Sequence, residues 1–315
     1  MKKISLIGAG NIGGTLASLI SMKNLGNVTL VDVFEGIAKG KSLDINQSNA
    51  INSSSVEING TKNLKDIKDS DVIIVTAGIA RKPGMSRDDL IETNFKIMKE
   101  IAISIKKFSP DSFVICITNP LDAMVWTLKK ISGLPKNMIV GMAGILDSAR
   151  FRYFLSKEID ICMENINAMV LGGHGDTMVP LINYTTVSGI PIKKFIEKGI
   201  ISSKKVSEII KKTRNGGGEI VSLMKDSSAF FAPAISGIEI AESFLNNQKK
   251  LLPCSTYLDG EYGCKDIFVG VPVVIGNNGV EKILEIDFDK TEKINFKNSI
   301  KAVKELTNKC KKLLV

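Results

Sequence analysis

His174 is the only histidine in the 315-residue chain and lies in the string LGGHGD at 171–176. An imidazole exchanges protons near neutral pH better than any other unperturbed side chain, so acid–base chemistry has one obvious carrier. Gly172, Gly173 and Gly175 leave no side-chain bulk beside the ring, as a sharp backbone bend or a close ligand approach requires. In the string ILDSAR at 145–150, Asp147 and Arg150 are three residues apart and would share one face of a helix. Their pairing alone would be an ordinary intrahelical ion pair, yet beside a ligand Arg150 can grip a carboxylate through two parallel hydrogen bonds. A third group of charges, Arg81 and Arg87, sits in GIARKPGMSRDD at 78–89. Glycine and proline punctuation there suits either a solvated loop or a lid that closes over an anion.

The amino end carries a different chemistry. Residues 3–7 (KISLI) read as a buried strand that runs into GAGNIG at 8–13, the pattern G-x-G-x-x-G in its strand–turn–helix setting. Gly8 permits the tight turn, Gly10 lets a pyrophosphate approach the backbone, and Gly13 allows close helix packing. The following helix start offers unpaired N–H groups to phosphate. A second strand over 28–32 ends at Asp32, close to the ~20 residues expected between the glycine turn and a ribose-binding acid. A carboxylate accepts hydrogen bonds from a 2′-hydroxyl and repels a 2′-phosphate, so the expected cofactor is NAD rather than NADP.

These groups need a frame, and residues 71–76 and 112–117 supply apolar runs typical of strands buried on both faces, with patterned helices between them. The alternation predicts an α/β fold: a Rossmann-type doubly wound parallel sheet over residues 1–144, with ligands at the carboxyl ends of its strands. Asp32, TAG at 76–78 and TNP at 118–120 all fall at such ends. From 145 to 315 the order is less regular, with a strand run at 268–275, and an α+β substrate-binding catalytic domain is expected. Ile300, Val303, Leu306, Cys310 and Leu313 recur at helical spacing among lysines, which predicts an amphipathic closing helix docked on the body.

Composition narrows the partners. Five cysteines without C-x-x-C spacing predict reduced thiols and no metal site. The net charge of +9 comes from dispersed lysines with few aromatics, so nucleic-acid binding is not expected. Lys2 and Lys3 precede apolar residues, but glycines and Asn11 interrupt any leader-like stretch. No apolar run approaches the ~18 residues of a membrane span. A soluble, cytoplasmic protein is the expectation.

GAGNIG, ARKPGMSR, TNPLD, LDSARF and GGHGD occur in the order found in the lactate/malate dehydrogenase family, and in these motifs the chain most resembles its lactate-dehydrogenase-like malate dehydrogenases. The resemblance implies that His174 donates and accepts the proton, with Asp147 as its partner. It implies that Arg150 holds the α-carboxylate, that Arg87 polarises the reacting carbonyl from the lid, and that Asn119 contacts substrate and cofactor. The cofactor-binding set would be Gly8, Ala9, Gly10, Asn11, Ile12, Gly13, Asp32, Asn94, Ile117, Thr118 and Asn119. Lactate dehydrogenases carry an uncharged Gln in the part of the lid where this chain has Arg81, which can pair with the second carboxylate of malate or oxaloacetate. Closing on pyruvate would bury that cation without an anion, at a cost of several kcal/mol. The expected substrate is therefore a small dicarboxylate, with a lactate or broader 2-hydroxyacid dehydrogenase and a non-catalytic NAD-binding protein as the alternatives. The glycine turn begins at Gly8, so no long N-terminal arm is expected, and assembly is expected as a homodimer or homotetramer.

Overall fold

In the computed structural model, the described residues are 1–79, 86–225 and 227–314, without the side chain of Arg87. The first half alternates strand and helix: β1 (Lys3–Ile7), α1 (Asn11–Met22), β2 (Asn27–Val31), α2 (Glu35–Asn52), β3 (Ile58–Thr61), β4 (Val72–Val75), α3 (Arg87–Phe108), β5 (Phe113–Cys116), α4 (Leu121–Ser132) and β6 (Ile139–Gly141). These six strands lie parallel in the order β3-β2-β1-β4-β5-β6, a Rossmann-type doubly wound sheet.

Alternation of side chains along each strand divides the apolar residues between two layers. Ile4, Leu6, Val72, Ile74, Phe113 and Ile115 face a core shared with α1 and with α8, a later helix at Phe231–Leu245. Ile7, Val31, Ile73, Val75, Val114 and Cys116 face the opposite core, built with α3 and α4. Both faces are covered, which is why these strands read as unbroken apolar runs.

The second half begins with α5 (Gly144–Ile159) and five two-residue strands: β7 (Ile166–Asn167), β8 (Val170–Leu171), β9 (Val179–Pro180), β10 (Thr186–Val187) and β11 (Ile190–Pro191). Then come α6 (Ile192–Glu197), α7 (Ser203–Met224), α8, β12 (Lys250–Asp259), β13 (Lys265–Gly276), β14 (Gly279–Ile283) and α9 (Lys290–Leu314). The long antiparallel strands β12, β13 and β14 do not form a sheet of their own. They extend the parallel one from the β6 edge, making nine strands in all among the described residues. A third core, with Phe151, Leu155, Ile166, Val187 and Phe195, packs α5 to α7 and the short strands. The run expected at 268–275 is the centre of β13, and the expected closing helix is α9, with Ile300, Val303 and Cys310 buried.

The turn that carries His174 is tied to this frame. Gly172 and Gly270 of β13 exchange both backbone hydrogen bonds, at 2.8 and 3.0 Å, so the chain leaving β8 is held against the large sheet. The approach leaves no room for a side chain, since a Cβ on Gly270 would lie 2.5 Å from the Gly172 carbonyl oxygen. Gly270→Ala is expected to destabilise the protein by about 1–3 kcal/mol, as overpacking does. An unchanged urea-denaturation midpoint would show that the bridge yields at no cost.

Candidate active site

His174 and Asp147 meet although 27 residues separate them. Asp147 lies in the first turn of α5, and Ser148 beside it accepts the Val170 N–H at 2.9 Å, which fixes α5 against β8 just before the histidine turn. The imidazole Nδ1 is 2.9 Å from Asp147 Oδ2. A carboxylate in that place accepts from Nδ1–H and leaves Nε2 as the nitrogen that can take or give a proton. The carboxylate is 2% exposed and the imidazole 15%, so the acid is sealed while the ring still reaches the cleft. Burial disfavours the imidazolium, but the charge and hydrogen bond of Asp147, with the charge of Asp122, outweigh it and raise the His174 pKa; Arg150 opposes them.

Arg150 stands one helical turn from Asp147, with Nη1 3.5 Å from Asp147 Oδ1, and that oxygen has no hydrogen-bond partner among the described residues. Burial lowers the Arg150 pKa against the pull of Asp147, and its guanidinium lies along the glycine run of α7 near Gly216 and Gly217. A largely buried guanidinium and an imidazole thus sit on either side of one buried carboxylate.

The roots of the expected lid are described, although Arg81 and Lys82 lie outside the described residues, as does the Arg87 side chain. Ser86 and Asp89 form a reciprocal capping box that starts α3. Asn94, fully buried, accepts from the Ile79 N–H at 2.9 Å and donates to the carbonyls of Ile79 and Asn119 at 3.1 and 2.7 Å. Its amide therefore joins Ile79 to the loop after β5. In that loop the Thr118 hydroxyl donates to the Ala77 carbonyl at 2.7 Å, Ile117 is buried, and Asn119 is exposed ahead of a cis Pro120. Sequence reasoning gave no role to Asp122, Ser255 or Ser299. Asp122 accepts from the His174 N–H at 2.9 Å and from the Ser255 hydroxyl at 2.6 Å, while Ser299 accepts from the Gly173 N–H at 2.8 Å. Of these, Asp122 stands within the TNPLD string, and the two serines have no local signature.

The lactate/malate dehydrogenase NAD-binding domain matches residues 2–141, and the α/β C-terminal domain of the same family matches residues 145–314. The chain belongs to the lactate/malate dehydrogenase family. It is thus an NAD-dependent oxidoreductase. Its solved relatives include the Cryptosporidium parvum malate dehydrogenase, 47% identical over 99% of both chains with a TM-score of 0.96. The Plasmodium falciparum malate dehydrogenase is 43% identical over 100% of both chains, with a TM-score of 0.96. A Cryptosporidium parvum lactate dehydrogenase, solved with lactic acid and nicotinamide adenine dinucleotide, is 42% identical over 98% of both chains, with a TM-score of 0.95.

The glycine turn of this dehydrogenase fits the cofactor. Gly8 has φ +111°, and a Cβ there would lie 2.6 Å from the Thr76 hydroxyl oxygen. A Cβ on Gly13 would fall 1.8 Å from the Gly8 carbonyl oxygen, so α1 can pack this closely only on glycine. A Cβ on Gly10, in contrast, would meet no atom of the described residues within 4 Å, which leaves space at the N-terminus of α1 for a pyrophosphate. Asn11 opens α1 and hydrogen-bonds the Ser227 hydroxyl at 3.0 Å, with Ile12 partly buried behind it. Asp32 accepts from the Ala9 and Phe34 N–H groups at 2.7 and 2.9 Å, which fixes its side chain at the rim of a cavity of about 450 Å³. Val31, Val33, Ile37, Ile97 and Ile101 give that cavity apolar walls for a flat base. Replacing Asp32 with Asn removes the charge that would repel a 2′-phosphate, and is expected to cut the preference for NADH over NADPH by about tenfold, or 1.4 kcal/mol. An unchanged ratio of the two dissociation constants would place cofactor discrimination elsewhere.

Proposed function

We propose that this dehydrogenase is a malate dehydrogenase, which interconverts (S)-malate and oxaloacetate. The observation that carries the choice is Arg81 in the lid string ARKPGMSR, a fixed cation where a monocarboxylate substrate offers no partner. Overall identity does not separate the substrates, because malate and lactate dehydrogenases stand at 47% and 42%. That near-equality keeps lactate dehydrogenase as the second reading.

In this reaction Arg150 grips the α-carboxylate and fixes which face of C2 is presented. Arg87 polarises the C2 oxygen from the lid, and Arg81, with Lys82 beside it, pairs with the distal carboxylate. Asn119 contacts both substrate and cofactor from the loop after β5. NAD, when bound, supplies hydride chemistry at C2. Neutral His174 takes the hydroxyl proton on Nε2 as malate is oxidised, and Asp147 stabilises the imidazolium that results. Oxaloacetate reduction uses the same groups in reverse, starting from charged His174. A cytoplasmic homo-oligomer completes the reading, on the strength of composition and family resemblance.

NADH oxidation with oxaloacetate is expected to exceed that with pyruvate by about three orders of magnitude in kcat/KM, the worth of a buried unpaired charge. Arg81→Gln is expected to shrink that ratio by at least about tenfold, and a wild-type preference for pyruvate would overturn the assignment. His174→Asn is expected to bind NADH normally but to lose about 10²–10⁴ in kcat; near-normal turnover would remove His174 from the mechanism. Because His174 has a raised pKa, oxaloacetate reduction, which needs the imidazolium, is expected to persist above the ordinary histidine range and to fall only as pH passes the raised value. Malate oxidation, which needs the neutral ring, is expected to rise over the same interval. Profiles of kcat/KM against pH in both directions check the sign.

A further inference from the structure

A second buried carboxylate touches the histidine turn and has no place in the reaction set out above. Asp122 occupies the first turn of α4, three residues after Asn119, and is 3% exposed. Its Oδ2 accepts the His174 N–H at 2.9 Å, and its Oδ1 accepts the hydroxyl of Ser255 on β12 at 2.6 Å. The fit is close, because a Cβ on Gly173 would lie 3.3 Å from Oδ2.

Packing alone does not account for an acid here, since a buried charge with two donors is costly beside an apolar residue of the same size. The first turn of a helix lowers that cost by presenting its positive end. Burial still pushes the Asp122 carboxyl up to about 6; Ser255, the His174 N–H and the His174 charge oppose the rise, and the charge of Asp147 adds to it. Around the pair, His174 faces Asp147 and Arg150 of α5 and Asp122 of α4, while Asp122 faces Ser255 of β12, Asp147 and the Cys116 thiol of β5. Burial pushes that thiol up to about 12, so it brings no charge of its own at neutral pH.

We propose that Asp122 is a positioning residue for proton transfer, which fixes the main chain of His174 against the Asn119 loop and whose negative charge stabilises the imidazolium. The two carboxylates divide the work: Asp147 orients the ring at Nδ1, and Asp122 holds the backbone from which the ring projects. This inference rests on the reading of His174 as the proton-exchanging group. Removing the Asp122 charge takes away one of the influences that favour the charged ring, so the His174 titration must move to lower pH. The onset of malate oxidation must follow it downwards.

The single histidine makes the test direct. Full-length protein carrying 13C-labelled histidine shows one ring signal, and its titration is followed without cofactor in the wild type, Asp122→Asn and Ser255→Ala. Asp122→Asn keeps an acceptor for the His174 N–H but not the charge, and is expected to lower the midpoint by about one unit. Its kcat is expected to fall about tenfold, with the dissociation constant for NADH unchanged and the pH profile displaced with the midpoint. Ser255→Ala leaves the Asp122 carboxylate less supported and is expected to shift the midpoint the same way by a smaller amount. A midpoint within about 0.2 unit of wild type in Asp122→Asn overturns the proposal, and Ser255→Ala decides in its place if Asp122→Asn does not fold. Wild-type protein that turns over neither oxaloacetate nor pyruvate would instead overturn the functional reading, and the titration would still decide whether Asp122 governs His174.

Discussion

The bond between the His174 imidazole and the Asp147 carboxylate is the contact on which the site depends, and most of the second half of the chain serves to make it. The two side chains come from different elements, α5 and the turn after β8, and a 2.9 Å contact tolerates little relative movement. Four further ties remove that freedom. Ser148 holds β8 to α5, Gly172 is stitched to Gly270 of the large sheet, and Ser299 and Asp122 each take one backbone N–H of the histidine turn. Every backbone N–H of Gly172, Gly173 and His174 is thereby used, which is how a glycine-rich turn becomes a rigid mount.

Electrostatics in the cleft follow from burial rather than from the overall charge of +9. Two sealed carboxylates face one imidazole, and Arg150 stands on the far side of one of them. Neither acid sits bare in an apolar core: Asp147 has the imidazole and the guanidinium, and Asp122 has a hydroxyl and a backbone N–H. Their charges, with the Asp147 hydrogen bond, outweigh the burial that disfavours the imidazolium and so favour protonated histidine. At the other end of the cleft two backbone donors hold the Asp32 side chain in place beside the N-terminus of α1, an arrangement with one acceptor for a ribose and several N–H groups for phosphate.

A continuous sheet is what brings the two ends together. The parallel strands end at the glycine turn, Asp32 and the Asn119 loop, whereas β12 and β13 pack the histidine turn against the same layer from the β6 edge. Ser255 lies opposite Gly141 of β6 and so reaches Asp122 at the start of α4. Closure of the sheet across the two halves therefore sets the distance between the loop of Asn119 and the His174 turn. Asn94 adds a similar link on the other side, since its amide joins that loop to Ile79 beyond β4. The cofactor contact expected of Asn94 thus belongs to a side chain already engaged with three backbone groups.

Local patterns determined a good deal by themselves. A strand buried on both faces is an unbroken apolar run, a phosphate turn needs its glycines at fixed spacing, and an amphipathic helix shows its period, so the Rossmann half, Asp32, His174, the Asp147–Arg150 face and α9 could all be read from neighbouring residues. Two strands were hidden by weak local signals: β3 reads INGT, and β6 has only three residues. Tertiary structure alone decided that β12 joins β6 and that Asp122 and Ser299 clamp the histidine turn. It also decided that Ser255, 133 residues from Asp122, completes the carboxylate's shell. Contacts of that range leave no periodicity or spacing in the chain, because they depend on where whole elements stop against one another and not on the residues beside them.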